Sequence, residues 1–136
     1  MANGTIAFDT LQTSGQITST AKSLDTDFVV SGSAKALCHV SADGATASNT
    51  LNISSLDDDG TGDRGINFSS NMGNATYIVT FSSEDGNSGS LNRTCDVSDG
   101  TMATGAFDFE SVMTSSSSNR TNTDTINFVN VHGDLA

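Results

Sequence analysis

Apolar and polar positions alternate along this chain with a period of two. Ile6 and Phe8 alternate with Thr5, Ala7 and Asp9, and Leu51, Ile53 and Ser55 alternate with Asn52 and Ser54. Ile66 and Phe68 flank Asn67, while Tyr77, Val79 and Phe81 alternate with Ile78 and Thr80. Further on, Phe107 and Phe109 flank Asp108, and Ile126 and Phe128 flank Asn127. Successive side chains of a strand point to opposite faces, so each set predicts a strand with one face in a core and the other in water. The run Phe28-Val29-Val30, and Val129 and Val131 behind Phe128, predict strands covered on both faces. Residues 33–39 read as a strand rather than a helix, because Gly32 and the turn cluster at 41–44 bound them.

Between the alternating segments lie turn clusters at 41–44, 57–63, 83–89 and 98–100. Asp-Gly occurs at 43–44, 59–60, 85–86 and 99–100, and both residues tolerate the positive φ that tight hairpins need. Short strands separated by such turns predict an all-β chain, an antiparallel β-sandwich or jelly roll. Residues 1–25 carry few apolar anchors and read as an N-terminal arm, which leaves 26–136 as a single sandwich domain. No internal repeat appears, which argues against a solenoid.

Composition narrows the partners. Sixteen acidic residues against five basic ones give a net charge of −11, too few cations to build a phosphate-binding patch, so nucleic acid is excluded. No stretch approaches the ~20 apolar residues of a membrane helix, and the first ten residues lack the basic and apolar regions of a secretory signal. Protein or glycan is the partner class that remains. Leu, Ile, Val and Phe number only 28 of 136 residues. So thin a core, set against backbone entropy of roughly 1–2 kcal/mol per residue, predicts a homo-oligomer, a trimer, whose interfaces bury second strand faces.

The candidate chemistry is sparse. Asp57, Asp58, Asp59 and Asp63 form the densest group of oxygen ligands, but Gly60 stands fourth from Asp57 where an EF-hand needs glycine sixth, so the loop reads as a solvated hairpin tip. Cys38 and His39 are neighbours on a predicted strand and therefore face opposite ways, which a Cys–His nucleophile pair cannot do. Cys38, Cys95, His39 and His132 lack zinc-ligand spacing. Glu84 and Glu110 are the only glutamates for a glycosidase pair, and no Gly-x-Ser-x-Gly elbow is present. The expectation is no enzyme, no metal and no cofactor, with both cysteines as free thiols beside apolar neighbours. The six Asn-x-Ser/Thr triplets follow from a chain rich in those residues.

Met1-Ala-Asn-Gly-Thr-Ile-Ala-Phe-Asp-Thr-Leu11, the stretch Ala21–Ala36, the centre Leu51–Met72 followed by Asn74-Ala-Thr-Tyr-Ile-Val79, and the close Val131-His-Gly-Asp-Leu-Ala136 resemble small virion-exterior proteins of marine tailed bacteriophages, of tail-fibre and capsid-appendage type. Two positions depart from that pattern. Leu37 stands where the family has an aromatic residue, and Arg64-Gly65 stands where it has an aromatic followed by Thr. The resemblance implies a non-enzymatic structural protein on the virion exterior, assembled in the host cytoplasm. It would be a knob, tip or head-decorating subunit that contacts itself, other virion proteins and a host glycan or protein. A stand-alone lectin-like sandwich is the competing reading.

Loops carry contacts when strand faces are committed to a core. The expected contact residues are therefore Glu84, Asp85 and Asn87 in one loop and Ser115, Ser117, Asn119 and Arg120 in another. Arg120 is the cation placed to meet a carboxylate or a sugar hydroxyl.

Overall fold

The computed structural model describes residues 10–13, 22–25, 32–84, 92–114 and 119–136. In chain order the strands are β1 (Thr10–Thr13), β2 (Lys22–Asp25), β3 (Ala36–Val40), β4 (Ala47–Leu51), β5 (Ile53–Gly60), β6 (Asp63–Phe68), β7 (Ile78–Ser83), β8 (Asn92–Val97), β9 (Ala106–Thr114), β10 (Arg120–Asn122) and β11 (Asn127–His132). The chain divides into two units, Met1–Ser33 and Ala34–Ala136. In the first unit β1 and β2 pair antiparallel, with Leu11 opposite Leu24. The strand expected around Ile6 and Phe8 and the run Phe28-Val29-Val30 lie outside the described residues.

The second unit is an all-β sandwich of two antiparallel sheets packed against each other. One sheet has the order β4-β3-β11-β7; in the other, β9 pairs with β6, β8 and β10, and β5 pairs with β6. Three Asp-Gly pairs lie at the turns of the hairpins β3–β4, β5–β6 and β8–β9, where Gly44, Gly60 and Gly100 have φ of 68°, 136° and 74°. The fourth pair, at 85–86, lies outside the described residues.

The core takes one face of each sheet. Ala36, Cys38, Val40, Val129 and Val131 come from the four-stranded sheet, and Ile66, Phe68, Phe107 and Phe109 from the other. Phe68 meets Tyr77 edge-on at 5.6 Å between ring centroids, and Phe81 lies 5.2 Å from Phe109. Tyr77 donates its hydroxyl to the carbonyls of Ala103 and Ala106, both at 3.0 Å, so the buried ring leaves no polar atom unmet. Its burial raises the phenol pKa to about 12.

Two expectations from alternation are corrected. Leu51 and Ile53 do not share a strand: the chain crosses from one sheet to the other at Asn52, whose φ is 56°. Asparagine tolerates that conformation, and its side chain here accepts from Ser70 N (2.7 Å) and donates to Ser70 O (3.0 Å). Around β11 the period of two is right but its phase is reversed. Asn127, Val129 and Val131 point inward, and Phe128 stands on the outer face at 47% exposure. Asn127 is tolerated inside because Ser83 Oγ and Cys95 Sγ donate to its Oδ1 and its Nδ2 donates to Thr125 O. The two-sided cover expected for Phe128–Val131 is therefore absent within the described residues.

The acidic turn is also not a free tip. Arg64, with the same parity as Ile66 and Phe68, is buried at 2% exposure at the end of the core. Its guanidinium donates to Asp58 Oδ1 (2.9 Å), Asp124 Oδ1 (2.6 Å), Asp63 O (2.9 Å), Ala42 O (3.2 Å) and Gly60 O. A Cβ at Gly44 would overlap that side chain, so only glycine fits beneath it. Gly62 closes the turn with φ 69°, and a Cβ there would lie 2.5 Å from Ser111 O. Its N–H donates to Asp124 and, with Arg64, holds that carboxyl below the usual range.

Candidate functional site

A sandwich commits only the inner face of each sheet to the core, and the two outer faces of this one differ in charge. The strands β3, β4, β7 and β11 contain no Asp, Glu, Lys or Arg. The strands β5, β6, β8, β9 and β10 carry Asp57, Asp58, Asp59, Asp63, Asp96, Asp108 and Glu110, with Arg64, Arg93 and Arg120. The register sets Asp57, Gly65 and Asp108 in one cross-strand row and Asp63, Glu110 and Asp96 in another. Partial burial, reinforced by Asp59, Asp63 and Asp57, raises the Asp108 pKa. Glycine at 65 leaves Asp57 and Asp108 facing across an empty position, since even a Cβ there would lie 3.1 Å from each.

The outer face of the four-stranded sheet is built in rows as well. Ser82, Phe128, His39 and Ser48 form one row, and Thr80, Asn130, Leu37 and Leu51 the next, followed by Ile78 opposite His132. Phe128 stacks on His39 with centroids 5.0 Å apart and planes 15° from parallel. A 2.9 Å hydrogen bond between His39 Nδ1 and Ser48 Oγ holds the imidazole in place. The small side chains of Thr80 and Ser82 lie low beside the phenyl ring, and the face forms an open trough of about 870 Å³. On this outer face Leu51 and Ile78, beside the trough, and Phe128, within it, stand 48%, 64% and 47% exposed. What this arrangement offers is apolar contact edged by hydroxyls and amides, without a formal charge on its strands.

The residues expected to make contacts are not gathered in one place. Glu84 follows β7 and lines the trough, with its backbone N–H donating to Ile126 O and its carbonyl accepting from Thr125 Oγ1. Arg120 opens β10 in the other sheet, and Asn119 stands just before it. Arg120 is already engaged by its own chain, with Nη2 at 2.8 Å from Asp96 and 3.2 Å from Glu110. Asp85, Asn87, Ser115 and Ser117 lie outside the described residues. Leu37, His39, Ile78 and Phe128 were not anticipated as a surface. The signal in the sequence was that Ala36–Val40, Ala47–Leu51, Ile78–Ser83 and Asn127–His132 contain no Asp, Glu, Lys or Arg.

Neither cysteine is paired. Cys38 points into the core, where burial raises its thiol to about 11, while the adjacent His39 faces outward. Cys95 is also pushed up by burial and sits 2.9 Å from Ser83 Oγ, so both sulfurs stay protonated at neutral pH and are poor nucleophiles. Among the described residues no three His, Cys, Asp or Glu side chains are grouped to hold a metal ion, and no helix is long and apolar enough to cross a membrane.

Fold and surface together define a β-sandwich with one acidic sheet and one sheet whose four strands carry no formal charge. No protein-family model, curated protein or solved structure matches the chain.

Proposed function

We propose that the chain is a non-enzymatic structural subunit on the exterior of a tailed-phage virion, a fibre-type knob or capsid-decorating part that stabilises the particle and meets the host. The observation that carries this reading is the division between the two outer faces. A part fixed to a larger particle needs one face that can lose its water cheaply, and burying formal charge is costly. The strands β4, β3, β11 and β7 offer such a face. The acidic sheet suits the side left in solvent, where net charge keeps particles apart. The resemblance along Leu51–Val79 to phage exterior proteins points the same way, and the chain would act as a homo-oligomer in contact with other virion proteins. Mass spectrometry and antibody labelling of purified virions test the proposal: the protein should be present in stoichiometric amount and accessible on intact particles. Its absence from washed particles would end it.

One observation favours a second reading, a stand-alone lectin-like module. A half-exposed aromatic ring beside Asn49, Thr80, Ser82 and Asn130 in an open trough can stack on a sugar and bond its hydroxyls. A monomer that binds a neutral oligosaccharide and is missing from virions would support that reading instead.

A further inference from the structure

We propose that a second copy of this chain docks on the outer face of β4-β3-β11-β7. The inference rests on the assembly reading above and makes a second copy, rather than another virion protein, the occupant of the face described there. Two copies each bearing −11 repel unless they meet where neither carries charge. The sheet containing β6 and β9 would set Asp57, Asp63, Asp96, Asp108 and Glu110 against another set of carboxylates, and like charges across a contact oppose it strongly. The strands of the opposite sheet carry no formal charge; Glu84 lines the trough and Lys35 stands one residue before β3, with its backbone N–H donating to Val131 O.

Shape and exposure agree with charge. Leu51, Ile78 and Phe128 lose contact with water only if something covers this face. The low floor of Thr80 and Ser82 beside Phe128 leaves room for a ring from the facing copy, while hydroxyls and amides around it supply uncharged hydrogen bonds. Strands of five or six residues at the usual spacing give a face roughly 19 Å by 18 Å. That is less than the ~800 Å² per partner of a standard interface, so the association should be reversible and of micromolar strength.

Sedimentation velocity on the full chain, from about 1 to about 200 µM, reads the association directly. The expected result is a rise in mass with concentration. Ile78→Glu and Phe128→Ser should each move that rise at least about tenfold upward in concentration. Thr94→Lys, on the acidic outer face, should leave it in place. Circular dichroism at the lowest concentration separates loss of contact from loss of folding, and Ile78→Ser replaces the glutamate variant if that one unfolds. A monomer at every concentration, or face variants that associate as well as the original, would overturn the proposal. So would neutral oligosaccharides that perturb His39 and Phe128 of a non-associating chain. A protein found on virions yet monomeric in solution refutes only this inference, whereas a self-associating protein absent from virions refutes only the assembly reading.

Discussion

Arg64→Met removes the guanidinium that ties three segments together while keeping most of the side-chain volume. The substitution leaves the carbonyls of Ala42, Gly60 and Asp63 without that donor and frees Asp58 and Asp124. Breaking a buried ion pair by deleting one partner costs about 3–5 kcal/mol when the other charge stays buried. Here the carboxylates are 54% and 48% exposed and recover water, so the loss should fall near the low end, about 3 kcal/mol, most of it from the stranded carbonyls. For a domain of this size that lowers the melting midpoint by roughly 12–20 °C. Arg64→Lys keeps the charge, but a single ammonium cannot span both carboxylates and three carbonyls, and about 2 kcal/mol should be lost. Urea unfolding followed by circular dichroism measures both. A double-mutant cycle with Asp58→Asn should give a coupling of about 1 kcal/mol, because the two are cross-strand neighbours at 2.9 Å. If Arg64→Met unfolds within about 0.5 kcal/mol of the original, the guanidinium is not what closes this end of the sandwich.

Phe68→Ala should cost about 3–5 kcal/mol in the same assay, since the ring is 6% exposed and packs on Tyr77 and Phe107; a change below 1 kcal/mol would mean the core collapses around the gap. Asp108→Asn should raise the melting midpoint at neutral pH and low salt. The folded pKa of Asp108 is raised, so its charge opposes folding above that pKa and ceases to do so as pH falls below the usual value of 3.8. The advantage of the asparagine variant should therefore shrink on acidification and in high salt, and an advantage independent of both would show that repulsion is not its source.

Strand positions and the Asp-Gly turns were legible because period-two hydrophobicity and positive-φ residues are local signals. Ile66, Phe68, Phe107 and Phe109 face inward as their spacing required. The phase of β11 was not legible, because size favours burying Phe128 over Asn127. Only the distant partners Ser83 and Cys95 make a buried amide tolerable. Arg64 was hidden for a similar reason: parity placed it inward, yet its charge argued for solvent until Asp58 and Asp124 were brought to it from either side. The loops drew attention as contact sites on the premise that strands are used up by the core. A two-layer fold has two further faces, and the absence of charge from four strands was the trace of one of them.

Cys38 lies between the two sheets with 3% exposure and a thiol raised to about 11. A maleimide or disulfide reagent can therefore reach it only in molecules whose layers have parted. In a Cys95→Ser background its labelling rate, divided by that of an unfolded control, equals the fraction of time the sandwich is open. The protein thus contains a clock for its own breathing, and anything that clamps the two layers together should slow that clock.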